Sequence, residues 1–354
     1  MPQNTGSYDI STLLAARFQS AAQFGLSTIT DILTADIAAH NAIVTQMVSE
    51  MAEVTSDRQR IYGTSVGGDM TEVDEYGAAP TQRSLPGSTV GFPLKLFQFN
   101  LGWTEKWLQT RTPADLAIAV QGAQKAHLKA VTRELKRAIF VSANYTHRDH
   151  LVDNVDLAVK RFVNADSANI PDGPNGEAFA GATHTHYDGE ASLTAPFLKA
   201  VINNVIEHGH GGNVKVAISR TDETAVRALT GFTGYQDPRL VFGASTTGVP
   251  AQRLDITRLD NRAIGIFEGA EVWVKPWAIA NYVFAWDAGD SRKPLAYRQR
   301  DNQALQGLRI ASTFSSHPLV AQFMEAEYGI GVWTRTNGAV LYFANATYAD
   351  PTIS

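Results

Sequence analysis

A ribbon of glycine- and proline-rich sequence that leads directly into one long helix is the feature that most constrains the fold. The ribbon spans residues 62–101, and turn-forming and acidic residues take the place of a hydrophobic core in it. A structureless loop of this length is uncommon inside a compact domain, and an isolated hairpin is only marginally stable in water. We therefore expect the ribbon to pack on another surface, and a second copy of the same chain is the first candidate.

The ribbon itself has the pattern of a hairpin. Glycines and prolines punctuate residues 61–90, and residues 92–97 then show strand-like alternation, with Phe92, Leu94 and Leu96 on one face. The pattern predicts a two-stranded hairpin with a loose tip.

The helix after the ribbon has a strong start signal. Thr112 can cap it, Pro113 suits the first helical position, and Asp115 occupies the third. The expected helix covers residues 113–139, about 40 Å at 1.5 Å per residue. Its apolar stripe consists of Leu116, Val120, Ala123, Leu128, Val131, Leu135 and Ile139.

The N-terminal segment, residues 1–58, is predicted to be helical. Ile29, Leu33, Ile37 and Val44 recur at helical spacing and form an apolar stripe. Two interpretations fit this stripe. It packs on its own domain, or it is an arm that lies across a neighbouring subunit.

The second half of the chain reads as a mixed α and β unit. Residues 214–218 alternate as a strand, residues 263–286 are rich in β-forming side chains, and strands are also expected around 330–334 and 339–343. Together with the long helix, this order predicts an α+β fold.

Composition excludes several classes of function. The net charge of −5 argues against sequence-independent binding of nucleic acid through a strong basic field. The absence of cysteine excludes disulfides, thiolate metal sites and cysteine nucleophiles. We see no signal peptide and no apolar run long enough to span a membrane.

Two histidine pairs are the best enzymatic candidates. His184 and His186 have a metal-ligand spacing, and His208 and His210 repeat it. The first pair resembles the first metal pair of amidohydrolases, which implies a metal-dependent hydrolase. The segment before it is not a convincing buried strand, and too little chain follows for an eight-fold barrel. We therefore expect two surface loops, with no catalytic residue, no metal and no cofactor.

The order of the elements resembles a known family. A ribbon precedes a long helix, an α/β unit follows, and the chain closes with the sequences KPLAYR (293–298), YGIGVW (328–333) and GAVLYF (338–343). This arrangement resembles the major capsid proteins of tailed bacteriophages, which have the Hong Kong 97-type fold.

The resemblance implies a division of the chain. The expected parts are an N-terminal helical arm (1–58), an extended-loop hairpin (59–111), a peripheral domain with a spine helix (112–190), an axial domain (191–290), and a return to the peripheral domain with C-terminal strands (291–354).

The resemblance also implies a function, namely self-assembly into pentamers and hexamers of an icosahedral shell that encloses phage DNA. The expected location is the virion capsid, assembled in the host bacterial cytoplasm, with scaffolding, portal and decoration proteins as further partners. DNA would be contacted only weakly and non-specifically, and no membrane is involved. The expected inter-subunit contact residues are Tyr62, Gly67, Gly68, Tyr76, Phe92, Leu94, Leu96, Trp103 and Trp107.

Some relatives link their subunits covalently through a lysine in the extended loop. The first lysine of this chain is Lys95, so the tip of the ribbon has no amine to offer, and we expect a non-covalent shell. The residues before the ribbon are few for a scaffolding segment, which favours a separate scaffolding protein or none. An encapsulin-like nanocompartment shares the fold and is the alternative function.

Overall fold

The computed structural model describes residues 9–16, 19–64, 70–82, 86–235 and 260–353. Its helices are α1 (Ile10–Ala15), α2 (Ala21–Phe24), α3 (Leu26–Ser49), α4 (Glu105–Thr110), α5 (Pro113–Phe140), α6 (Ala195–Ile206) and α7 (Glu223–Arg227). Its strands are β1 (Ala52–Thr55), β2 (Gln59–Tyr62), β3 (Ser88–Gly91), β4 (Lys95–Thr104), β5 (Tyr145–Arg148), β6 (Asp156–Val159), β7 (Tyr187–Gly189), β8 (Val214–Ile218), β9 (Phe232–Gly234), β10 (Arg262–Phe267), β11 (Ala270–Val274), β12 (Tyr282–Asp287), β13 (Leu295–Gln299), β14 (Leu308–Ser316), β15 (Leu319–Val332) and β16 (Ala339–Tyr342).

Two sheets organise the molecule, and the predicted α+β class is confirmed. The first has five strands in the order β1-β13-β15-β14, and β4 also pairs with β15. The second has seven strands in the order β7-β16-β12-β8-β11-β10-β9. The main hydrophobic cluster lies where α3 and α5 pack against the five-stranded sheet, and α6 packs on β12 and β16 of the other sheet.

The start of α5 confirms the prediction made from its capping signal. The helix begins at Pro113 and has 28 residues, so it is about 42 Å long. Asp115 accepts a hydrogen bond from the backbone N–H of Thr112 at 3.1 Å, which closes a capping box. Val120, Leu135 and Ile139 lie on the buried face, as expected.

One member of the predicted apolar stripe of α5 is wrong. Leu128 is 39% exposed, whereas His127 is only 5% exposed. A step of about 100° per residue places position 127, four after Ala123 and four before Val131, on the buried face. Hydrophobicity favours Leu128 over His127 as a core residue in the sequence. The helical phase that faces the core nevertheless belongs to His127.

Helix α3 of the N-terminal segment packs on its own subunit, and contact of this segment with a neighbouring subunit stays a prediction. This helix contacts α5 and β14 of the same chain and buries Ile29, Ile37 and Val44. The helical prediction fails at its end, because residues 52–55 form β1 and pair in parallel with β13.

The seven-stranded sheet contains strands from the start and from the end of the C-terminal half of the chain. The predicted strand 214–218 is β8, and it pairs with β11 and β12. The last strand, β16, lies between β7 and β12, so the segment after residue 290 contributes to both sheets. In the part of the chain that the structure describes, no helix is long and apolar enough to cross a membrane.

Candidate functional site

The hairpin predicted for the ribbon is present, but its returning strand was misplaced. β2 pairs with β3 in antiparallel register, from Gln59 opposite Gly91 to Tyr62 opposite Ser88. The pattern at 92–97 had suggested that this segment was the partner strand. Instead Phe92 and Leu94 enter the core, and Lys95 starts β4, which pairs with β15.

Beyond the hairpin, residues 70–82 form an exposed segment that we call the ribbon tip. Every residue of the ribbon tip is exposed, including Met70 at 102% and Tyr76 at 89%. Its one tight feature is a turn in which the N–H of Gly77 donates to the carbonyl of Asp74 at 3.1 Å. The predicted contact residues Gly67 and Gly68 lie outside the described residues.

The other predicted contact residues of the ribbon differ in their exposure. Phe92 and Leu94 are 0% and 1% exposed, so they stabilise the subunit and we leave them out of any contact surface. Tyr62 donates to or accepts from the hydroxyl of Thr336 at 2.8 Å and ties the hairpin to the body. Leu96 is 45% exposed.

The two tryptophans of the predicted contact surface form a pair at the end of the ribbon. Trp103 lies on β4 and Trp107 on α4, and their ring centroids are 6.0 Å apart. Both are half-buried against the main cluster, so part of each side chain is accessible to solvent.

The outer face of α5 carries a shallow groove with positive charge, which we call the basic groove. It is lined by Lys125, Leu128, Lys129, Thr132, Arg133 and Lys136. The ribbon tip has the opposite sign, with Glu72, Asp74 and Glu75 all exposed. The two surfaces are therefore complementary in charge.

A second candidate site lies where the histidine loop, residues 160–186 between β6 and β7, meets the end of α6. The Nε2 atom of His208 lies 3.1 Å from that of His184 and 3.1 Å from that of His186. The Nε2 atoms of His184 and His186 are 3.3 Å apart. Glu207 ends α6, and its Oε1 lies 3.1 Å from Nε2 of His184. Among the described residues, these four form a group that could hold a metal ion.

Backbone contacts fix the position of His186 within this cluster. Its N–H donates to the carbonyl of Val163 at 2.7 Å, and its carbonyl accepts from Val340 at 2.8 Å. Its Nδ1 lies 2.8 Å from the carbonyl oxygen of Gly338. Because a carbonyl only accepts, Nδ1 carries the proton and Nε2 presents its lone pair to the cluster.

Burial keeps the cluster histidines neutral at neutral pH. Loss of hydration, with smaller contributions from the neighbouring His184 and His210, lowers the pKa of His208 to about 3. The same desolvation holds the pKa of His186 well below its usual range and lowers that of His184. Neutral imidazole is the form that binds metals.

The structure corrects the expectation of two surface loops around the histidines. His186 is fully buried and the side chain of His208 is 2% exposed. The predicted second pair is split, because His210 instead contacts Asp290 at 2.7 Å and Thr336 at 3.0 Å. Sequence spacing could not reveal this arrangement, since it requires α6 to return its end to the histidine loop.

Comparisons with known proteins identify the fold. A chain in the solved structure of Mycobacterium phage Patience matches with a TM-score of 0.68 and 17% identity, over 99% of this chain and 96% of that one. The capsid of a native GTA particle matches with a TM-score of 0.49 and 16% identity, over 84% and 89%. The holo-SrpI encapsulin complex of Synechococcus elongatus matches with a TM-score of 0.41 and 10% identity, over 76% and 80%.

The first of these likenesses extends over nearly the whole of both chains. The chain has the Hong Kong 97-type fold, as the order of its elements predicts. No protein-family model and no curated protein matches the sequence.

Proposed function

We propose that this chain is a shell protein that self-assembles into the icosahedral capsid of a tailed phage and encloses its DNA. The observation that carries the proposal is the ribbon tip, thirteen consecutive exposed residues (70–82) at the end of a hairpin. A segment exposed over its whole length buries little apolar surface in its own subunit, so we assign its main stabilising contacts to an assembly. The likeness in fold to a phage structure supports this interpretation.

In this proposal the parts of the chain take the roles of a shell subunit. Residues 59–111 act as the extended loop, α5 as the spine helix, the five-stranded sheet as the peripheral domain and most of the seven-stranded sheet as the axial domain. The contact surface comprises the ribbon tip with Tyr76, the exposed Leu96, and the tryptophan pair. Gly67 and Gly68 complete it as a sequence-based proposal.

The ribbon tip of one subunit is proposed to lie over the basic groove of its neighbour. The tip offers three carboxylates and the groove offers Lys125, Lys129, Arg133 and Lys136. Each exposed ion pair contributes only about 0.2–1 kcal/mol. Such contacts repeat at every subunit of a closed shell, so weak pairs set register and partner choice.

A charge exchange tests this docking directly. Lys125→Glu with Lys129→Glu is expected to leave the subunit folded and to abolish closed particles in electron micrographs. Adding Glu72→Lys and Glu75→Lys in the same chain is expected to restore them, because the complementarity is re-established with opposite sign.

A matched control is Arg220→Glu, an exposed cation far from α5 in sequence and outside the basic groove. It changes the net charge without touching the proposed contact, so particles are expected to form. Particles from the double lysine variant at wild-type yield would contradict the docking. A failure of the four-site exchange to restore them would do the same.

The proposed role is structural, with no catalysis. A hydrolase that used His184 and His186 would keep an open coordination position for water, whereas the cluster brings four protein donors together. Scaffolding, portal and decoration proteins are proposed as partners, with assembly in the cytoplasm of a bacterial host. The net charge of −5 fits a shell that does not clamp DNA.

A nanocompartment of the encapsulin type would enclose protein cargo instead of a genome. The nucleic acid content of particles isolated from the native source separates the two functions. Packaged double-stranded DNA is the expected result, and particles filled with a single enzyme would contradict the capsid proposal.

A further inference from the structure

We propose that His184, His186, Glu207 and His208 bind one divalent transition-metal ion of the zinc type, which clamps the histidine loop to the end of α6. The site goes beyond the assembly function and does not depend on it.

The spacing of the three imidazole nitrogens is that of ligands on a tetrahedral metal ion, and the carboxylate of Glu207 lies beside two of them. Nitrogen and oxygen ligands at about 2.0–2.1 Å from a common centre are about 3.3–3.4 Å from one another. The three imidazole Nε2 atoms are separated by 3.1, 3.1 and 3.3 Å. Oε1 of Glu207 is 3.1 Å from His184 and 3.7 Å from His208. All donor atoms lie within 4.8 Å of one another.

Hydrogen bonding alone does not account for this triangle of nitrogens. An imidazole Nε2 either donates one proton or accepts one, so one bond within the triangle leaves the third nitrogen unmatched. Oε1 of Glu207 is buried and has no hydrogen-bond partner among the described residues. A cation at the centre would satisfy all four atoms at once.

His186 has the surrounding contact that orients a metal ligand. The hydrogen bond from Nδ1 of His186 to the carbonyl of Gly338 fixes both tautomer and ring orientation. The ring of Phe179 covers His208 at 4.1 Å and His184 at 4.9 Å between centroids, which shields that side of the cluster from water.

The donor set selects the class of metal. Three neutral imidazoles and one carboxylate suit zinc and its neighbours, whereas calcium and magnesium prefer oxygen ligands. Four protein donors fill a tetrahedral shell, which is typical of a structural site. Two of the ligands lie on the histidine loop and two lie at the end of α6. These segments are separated in the sequence and meet only in the folded chain, so the ion would hold them together.

Metal analysis of the purified full-length protein is the primary test. About one zinc per chain is expected, removable by a chelator and restored by titration with zinc chloride. Addition of Co²⁺ to the stripped protein is expected to give the intense visible bands of a tetrahedral site. Removal of the ion is expected to lower the Tm by at least about 3 °C, and re-addition to restore it.

Substitutions locate the site. His184→Gln, at a ligand that is partly exposed, and His208→Gln are each expected to weaken Co²⁺ binding at least about 10-fold. His317→Gln is the matched control, since its side chain is 81% exposed and contacts Glu105 instead. It is expected to bind like wild type.

Three results would overturn the inference. One is a wild-type protein that neither contains nor takes up zinc or Co²⁺ at micromolar concentrations. Another is binding that both ligand variants retain at wild-type strength. The third is a cobalt spectrum of five or six coordination, which would mean an open site. The wild-type measurements decide the matter even where a variant fails to fold.

Discussion

The ribbon tip and the histidine loop are alike in sequence and opposite in structure. Both lack regular secondary structure over most of their length, and both contain glycine and proline. Residues 70–82 are exposed throughout, whereas the histidine loop encloses the fully buried His186. The loop also bonds to itself, with Ala165 donating to the carbonyl of His184 at 3.0 Å and Ser167 to that of Gly181 at 2.9 Å.

The difference shows that partners, not composition, decide which irregular segment holds the subunit together. The histidine loop finds its partners within the chain, in β16 and the end of α6. The ribbon tip has none of comparable extent in its own subunit, which is why we assign its contacts to a neighbour. Substitutions of the same type, placed in the two kinds of environment, test this distinction.

The largest effect on stability is expected from one substitution placed on the two faces of α5. Val131 is fully buried, so Val131→Asp places an unpaired charge in the core and is expected to prevent folding. Leu128→Asp, on the basic groove, is expected to give folded protein with Tm within about 2 °C of wild type.

Circular dichroism and thermal melting of the two purified variants measure this contrast. Soluble, cooperatively folded Val131→Asp protein would show that this face of α5 is not core. An unfolded Leu128→Asp variant would show that the groove is buried within the subunit, and it would remove the proposed docking surface.

A smaller loss of folding stability is expected at acidic pH. Burial, with a smaller contribution from the neighbouring His40 at 3.1 Å, lowers the pKa of His127 to about 4. The folded state favours the neutral form of His127. The contribution of this residue to the free energy of unfolding is therefore fully present above the unfolded pKa of 6.5 and is lost as pH falls towards 4. The loss amounts to about 3 kcal/mol.

His127→Gln removes this titration and is expected to flatten the slope of the unfolding free energy between pH 6.5 and 4, relative to wild type. Denaturant titrations at several pH values measure it. Identical slopes in both proteins would show that His127 is accessible to protons in the folded state, against its observed burial.

The smallest effects on the free energy of unfolding are expected from a pair of glycine substitutions, one in the histidine loop and one in the ribbon tip. A Cβ on Gly181 would lie 2.1 Å from the backbone oxygen of Ala168, so Gly181→Ala is expected to destabilise the subunit by about 1–3 kcal/mol. On Gly77 it would lie 3.1 Å from the side chains of Asp74 and Val73. Since these are exposed, Gly77→Ala is expected to change stability by less than about 0.5 kcal/mol.

Urea unfolding of the two variants provides the readout. A Gly181→Ala variant as stable as wild type would mean that the histidine loop is not tightly held. A strongly destabilised Gly77→Ala variant would mean that the ribbon tip packs on its own subunit.

Short sequence patterns were sufficient to predict the helices and strands whose formation depends on residues close together in the chain. The capping box at Thr112 located the start of α5, and the alternation at 214–218 identified β8. The hairpin was found, but its returning strand was not, because Phe92 and Leu94 show the same alternation whether they pair with the ribbon or enter the core.

Three of the four cluster residues, His184, His186 and His208, have a metal-ligand spacing in the sequence, but their convergence could not be predicted from it, for a physical reason. His186 and His208 meet only because α6 folds back along the seven-stranded sheet, and no spacing in the sequence encodes that return. The spacing of His184 and His186 was noticed, whereas Glu207 carried no signal at all.

Electron microscopy of the wild-type protein and of a variant in which a glycine–serine linker replaces residues 70–82 tests the central claim most directly. Closed shells are expected from wild type, and the variant is expected to give a folded subunit with unchanged Tm that forms no closed shell. Closed shells from the variant would contradict the account. So would a wild-type chain that stays monomeric at high concentration, across assembly conditions and with a scaffolding partner supplied.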